Sequence, residues 1–320
     1  MGRITKYIVL ICAVMTCLCA CGASDGDKAA SRAFPIVEIP SMLDAEDKID
    51  YVLGHMWDAF LDKSGQISCD TTLVNGVKEE EVTQVMANYA MLLGQVDLEK
   101  AYGYMSSLTE SIISLHDCDS LSHTFTAMCK CVENYLYDAN SPLRDEDIYH
   151  AYCSRMASYE GLGEAYRQLY SYQAEMCAMN RRGTVAADFA FSDKDGRHYT
   201  LHGINADLTI LFFSNPGCTA CKQIIEYLSY NPEISSLVQE GKIAVVNVYI
   251  DEDLKEWYDY IDQYPEGWYN GYDHNHIIRD DELYNVRAIP SLYLLDKDKK
   301  VILKDVNEQR LFVTLDNMLE

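Results

Sequence analysis

The stretch that most constrains this chain is Leu208-Thr209-Ile210-Leu211-Phe212-Phe213 running directly into Ser214-Asn215-Pro216-Gly217-Cys218-Thr219-Ala220-Cys221. A continuous apolar run of six, rich in β-branched and aromatic residues, reads as a strand buried on both faces. Asn-Pro-Gly ends it at a sharp turn. From Thr219 the residues suit a helix, with Ile224, Ile225 and Leu228 on one apolar face. Cys218 then sits at a helix N-terminus, where free N–H groups and the positive end of the dipole favour thiolate over thiol. That makes Cys218 the expected nucleophile. Cys221, one turn on and less exposed, can attack a mixed disulfide on Cys218, so the pair can interchange dithiol and disulfide. A structural disulfide or half of a zinc site remains open on the Cys-x-x-Cys alone.

About 70 residues later Arg287-Ala288-Ile289-Pro290-Ser291 precedes the strand-like Leu292-Tyr293-Leu294-Leu295, and a proline opening a buried strand invites a cis peptide. The order strand, Cys-x-x-Cys, helix, strand, helix, Ile-Pro, strand resembles the thioredoxin superfamily. The resemblance is to its TlpA/ResA-like periplasmic thiol-disulfide oxidoreductases, over roughly 186–320. It implies an α/β thioredoxin-like fold with a central mixed sheet flanked by helices. It implies that Pro290 is cis and faces the sulfurs, and that Ile289, Pro290 and Gly217 border a bound peptide. The chain departs from the pattern in three places. Gly217 replaces the usual aromatic, Thr219-Ala220 lies between the cysteines, and Phe212 stands where thioredoxin has a buried Asp.

At 320 residues the chain is too long for one such module of roughly 110 to 140, so a second domain is expected. The division reads as a signal peptide over 1–20, a tether over 21–40, an all-α domain over 41–180 and the thioredoxin-like domain over 186–320. Arg3 and Lys6 precede an apolar stretch from Tyr7 to Ala20, too short to span a bilayer comfortably. Followed by Cys21-Gly22, it resembles a bacterial lipoprotein signal, with Cys21 as the lipidated residue. Small polar residues from Gly22 to Ser31 suit a flexible tether. The expected address is the cell envelope, lipid-anchored and facing the periplasm or exterior.

Ser41 with Asp44 looks like a helix N-cap signal, and Ile49, Val52, Leu53, Met56 and Phe60 recur at helical spacing. Further helical patterns run over about 79–93, 98–115, 120–137, 143–159 and 161–179. Phe-Pro-x-Val-x-Ile-Pro at 34–40, then Met56-Trp57-Asp58, resembles a helical domain found ahead of thioredoxin-like modules in Bacteroidota-type lipoproteins. That resemblance names no activity. The helical tyrosines, Tyr89, Tyr149, Tyr152, Tyr166, Tyr170 and Tyr172 among them, suit either packing or a partner face.

A net charge of -24 leaves no basic stripe for phosphates, which argues against nucleic acid. Of 12 cysteines, Cys69, Cys118, Cys129, Cys131, Cys153 and Cys177 lie between tether and redox pair. They can be buried thiols or pair in any of 15 ways. No cofactor and no metal is expected, and His274 and His276 joining the cysteines in a Cys2His2 site is a remote alternative. The reading is a membrane-anchored thiol-disulfide oxidoreductase reducing protein disulfides. Its partners are protein or peptide thiols and disulfides and a membrane electron donor. The alternative is a partner-binding lipoprotein whose thioredoxin-like module is structural.

Overall fold

The structure is a computed structural model and describes residues 31–62, 72–118, 120 and 123–319. The signal reading, the lipidation of Cys21 and the state of Cys69 lie outside the described residues. The chain forms two compact units, 1–100 with 110–131 and 101–109 with 132–320. The second unit therefore unites the last part of the helical half, 132–180, with the thioredoxin-like half.

In the first unit, α1 (Ala45–His55) is capped by Asp44, whose carboxylate accepts from the Asp47 N–H at 2.9 Å, rather than by Ser41. Phe34, Trp57, Phe60 and Tyr89 form its aromatic centre, with Phe34 stacked on Phe60 at 4.9 Å and edge-on to Trp57 at 5.6 Å. This helical half also holds one short strand pair. Leu73–Val74 (β1) and Val77–Lys78 (β2) make a hairpin closed by Asn75-Gly76, both at positive φ. Helix α2 follows over Glu79–Leu93.

Helices α3 (Leu98–Cys118) and α4 (His123–Leu136) contribute residues to both units. In the second unit α5 (Glu146–Ala157) and α6 (Glu164–Ala178) pack through tyrosines. The Tyr152 and Tyr170 hydroxyls lie 3.1 Å apart, and Tyr170 donates to Glu133 at 2.6 Å. Tyr89, Tyr149, Tyr152 and Tyr170 are thus core residues, while Tyr166 and Tyr172 are exposed. Cys131, Cys153 and Cys177 are buried free thiols, Cys118 is an exposed one, and Cys129 is buried.

The remainder is a seven-stranded mixed sheet in the order β4-β3-β7-β6-β5-β8-β9. Its strands are β3 (Ala190–Ser192), β4 (His198–Thr200), β5 (Leu208–Phe213), β6 (Ile243–Tyr249), β7 (Tyr269–Tyr272), β8 (Ser291–Asp296) and β9 (Val301–Val306). Strand β5 lies parallel to β6 and antiparallel to β8. Helices α7 (Thr219–Tyr230), α8 (Pro232–Gln239) and α11 (Glu308–Leu319) join one buried cluster with β5. Helices α9 (Leu254–Tyr260) and α10 (Ile277–Asp280) complete the layer elements. The aromatic stretch 265–276, read as a loop, contributes β7 to the sheet instead.

The helical and sheet parts of this unit meet through buried charge. Three consecutive carboxylates at the start of α5, Asp145, Glu146 and Asp147, face Arg181, Arg182, Arg287, Lys304 and Arg310. Arg144 pairs with the buried Asp305 of β9 at 3.3 Å. Burial pushes the Asp147 carboxyl up, but Arg182 and Lys304 more than offset it and leave it lowered. For Asp305 burial wins over Arg144 and raises it from 3.8 to about 6.

A raised acid holds its proton more tightly in the folded chain. Its stabilising contribution is therefore full below pH 3.8 and lost as pH rises through 6. Asp305→Asn stays neutral throughout and is expected to remove that slope. The variant's unfolding free energy minus that of the wild type should rise by about 3 kcal/mol from about pH 3 to about pH 7. Asp147 titrates in both proteins and cancels from the difference. Urea unfolding across that range checks it, and a flat difference contradicts the assignment.

Candidate active site

The site is built where three strand ends come together. Phe213, the last residue of β5, is paired with Val248 of β6 on one side and with Ser291, the first residue of β8, on the other. The chain leaving β5 and the Ile289–Pro290 bond entering β8 therefore lie at one end of the sheet. That peptide bond is cis.

The exit from β5 is held by polar groups in an otherwise apolar sheet. Ser214 is buried and donates to Asn247 Oδ1 at 2.5 Å, and Asn247 Nδ2 donates to Asn270 Oδ1 at 3.0 Å. Asn215 donates through Nδ2 to Asp251, whose other oxygen is 2.5 Å from Arg279. Ser214 and Asn247 are buried, so their bonds satisfy groups that would otherwise be desolvated and unpaired. Asn247 sits inside a run that reads as purely apolar strand, so periodicity alone gave no sign of this ladder.

Gly217 then turns the backbone at φ +72°, with no atom within 4 Å of where a Cβ would stand. The residue serves the turn, and the face beside the first cysteine stays open. Cys218 is the N-cap of α7: its Sγ accepts from the Cys221 N–H at 3.1 Å. It is half-buried, whereas Cys221 is 2% exposed. The two are joined as a disulfide with Cα atoms 5.2 Å apart. Cys221, Ile224 and Leu228 form the buried face of α7, packed in one cluster with Ile210, Phe212 and Leu292. Ile289 is packed against that cluster and against the one on the opposite face of the sheet.

The structure thus brings Gly217, Cys218, Cys221, Ile289 and Pro290 to one sheet end. Lys222 is exposed and 3.9 Å from Glu226, a weak surface pair. His274 is turned elsewhere, its Nδ1 3.0 Å from Ser192 Oγ, which also contacts His198 Nδ1 at 2.9 Å. Among the described residues no group of three or more His, Cys, Asp or Glu side chains is arranged to hold a metal ion. Also among them, no helix is long and apolar enough to cross a membrane. Sequence reading missed the roles of Ser214, Asn247 and Asp251, and read Asn215 only as part of the turn, without its bond to Asp251.

This geometry fits thiol chemistry in which Cys218 is attacked or attacks and Cys221 resolves. Once the disulfide is reduced, alkylation of Cys218 by iodoacetamide is expected to reach half its maximal rate at a pH clearly below the free-cysteine value of about 8.5, with Cys221 unmodified. Mass-spectrometric counting of adducts against pH checks this. Equal labelling of both sulfurs would contradict the assigned asymmetry.

Residues 16–180 match the family described as a domain of unknown function (DUF5106), and 205–301 match the family described as thioredoxin-like. The crystal structure of a thioredoxin-like protein from Bacteroides caccae shares 32% identity, with a TM-score of 0.76, over 89% of this chain and 99% of that one. The C-terminal domain of an uncharacterized protein from Bacteroides fragilis shares 42% identity over 43% of this chain and 98% of its own, with a TM-score of 0.41. A domain of a possible thiol-disulfide isomerase from Cytophaga hutchinsonii shares 25% over 44% and 95%, with a TM-score of 0.38. A search of curated proteins returned no match.

Proposed function

Since the chain belongs to the DUF5106 family and carries a thioredoxin-like domain behind that helical half, we propose that it is a thiol-disulfide oxidoreductase that reduces protein disulfides. The observation that carries this is the placement of Cys218. The residue is half-buried, and its sulfur caps α7 and is joined to a buried Cys221 at the sheet end where cis-Pro290 leads into β8.

The chemistry follows from that asymmetry. In the dithiol form the Cys218 thiolate attacks one sulfur of a substrate disulfide, forming a mixed disulfide and releasing the other substrate sulfur as a thiolate. Cys221, after losing its proton, attacks Cys218 Sγ. The mixed bond breaks, the second substrate thiol leaves, and the 218–221 disulfide remains. Two electrons have passed to the substrate, which takes up two protons. Return to the dithiol needs a dithiol donor, which in this proposal is a membrane electron carrier of the cell envelope. Anchoring through a lipid on Cys21 and a TlpA/ResA-like character belong to the same proposal. They rest on the sequence features at 1–31 and 186–320.

Cys221→Ser is expected to accumulate a mixed disulfide between Cys218 and its substrate, because the attacking sulfur survives and the resolving one is gone. Cys218→Ser should trap little. Non-reducing gels of both variants made in the native host read the difference. Equal trapping, or adducts through Cys221 alone, reverses the roles.

A further inference from the structure

We infer that Glu146 and Arg144 of the helical half are positioning residues for the loop that carries cis-Pro290, so that the helical segment around 137–146 is a fixed support of the peptide-binding edge. The inference rests on the function proposed above for the site itself. It goes beyond it by giving part of the helical half a role in substrate docking.

The segment 281–290 is irregular, with neither helix nor strand to fix its path into β8. Its side chains are instead tied to the helical half on both sides of the cis bond. Ahead of it, Arg287 Nε donates to Glu146 Oε1 at 3.1 Å, and Asn285 Nδ2 donates to the same oxygen at 2.7 Å. The Arg287 guanidinium also lies over the Tyr137 ring, 4.0 Å from its centroid, and donates to the Tyr137 carbonyl. Behind it, Ser291 Oγ donates to Asp305 Oδ1 at 2.7 Å, and Arg144 Nε donates to the Asp305 carbonyl at 2.9 Å and to Oδ2 at 3.3 Å. Arg144 Nη2 reaches the Val306 carbonyl at 3.1 Å. All of these residues lie within one compact unit.

Burial gives these contacts their authority. The Glu146 side chain is 1% exposed, and Lys304 Nζ stands 3.1 Å from its second oxygen as an ion pair. A buried carboxylate cannot be replaced by water without a desolvation cost, and a buried guanidinium that loses it must find another anion or move outward. Arg287 is three residues from Pro290, so such a movement is transmitted directly to the groove. Among the described residues of the thioredoxin-like half, the carboxylate paired with Arg287 is Asp305, at 3.9 Å. The stacked, forked grip is peculiar to a guanidinium, since an ammonium has no planar face to lay on Tyr137.

The test compares the full chain with Glu146→Gln, which keeps shape and removes charge, and with Arg287→Lys, which keeps charge and removes the stacked fork. Each is assayed against a disulfide-bonded peptide and against a small aromatic disulfide that needs no peptide groove. Hydrogen exchange is followed over 285–291. The expected result is a loss of about tenfold in kcat/KM for the peptide, carried by KM, from a sub-ångström to ångström displacement of the loop. Turnover of the small disulfide should stay within about twofold, exchange over 285–291 should quicken at least about tenfold, and melting should remain a single transition. Equal losses on both disulfides, or unchanged exchange, overturn the inference. So does failure of both variants to fold, which would make the cluster a requirement of the core. A wild type inactive on both disulfides refutes the proposed function instead, and the exchange comparison then still decides whether Glu146 holds the loop.

Discussion

The arrangement of the site depends on one register: Phe213 opposite Val248 on one side and Ser291 on the other. Because β5 is buried on both faces and flanked by strands on both edges, a shift of one residue would turn its large apolar side chains to the wrong face. Register therefore decides where the backbone stops being strand. Once β5 ends at Phe213, the turn through Asn215 and Gly217 must deliver Cys218 to the start of α7, and the strand beside it must begin with the residue after Pro290. The cysteines and the cis bond need no direct contact to share one sheet end. They share it because two neighbouring strands end and start at paired residues.

The second constraint is charge inside the fold. An acidic chain places Arg144, Arg182, Arg287, Lys304 and Arg310 against Asp145, Glu146, Asp147 and Asp305, all of these carboxylates nearly inaccessible. Buried ion pairs of this kind roughly break even against apolar packing, but breaking one member leaves an uncompensated charge. Their effect is on which arrangement is allowed more than on how stable it is. The tyrosine packing of α5 and α6 could tolerate small slides. Carboxylates that must each meet a guanidinium or ammonium cannot, and this fixes the 132–180 helices against the sheet of the same unit.

The sequence showed some of this plainly. The exit of β5, the start of α7 at Thr219 and the Ile289–Pro290 bond each rest on local signals, a long apolar run, Asn-Pro-Gly, and a proline before a strand, and each appears where those signals put it. The helical patterns fell within a few residues of α2 to α6. The β1–β2 hairpin was legible in Asn75-Gly76 between Val74 and Val77, yet it is too short to compete with the helical periodicity around it. The charge cluster was not legible. Glu146 and Arg287 stand 141 residues apart, and an Asp-Glu-Asp run before a helix reads as ordinary first-turn acidity, complementing the dipole on a solvated face. Only the tertiary fold shows that this face is the inner one.

The two cysteines differ in what supports them. Cys218 draws on the backbone: its sulfur accepts the Cys221 N–H and sits at the start of a 12-residue helix, so its activation needs no particular side chain. That backbone support depends neither on an aromatic at position 217 nor on which residues stand between the sulfurs. Cys221 has no such help. It is packed with Ile210, Phe212 and Ile224, and Phe212 occupies the position from which a carboxylate would take its proton in the family that this half resembles. In the reaction proposed above, resolution by a sulfur packed among apolar side chains is the step with least help from neighbouring groups. A substrate held in place while that step waits is a substrate selected by its docking. On the function proposed above the docking edge is the 285–291 loop, which would make the helical half's hold on that loop part of the chemistry rather than an accessory to it.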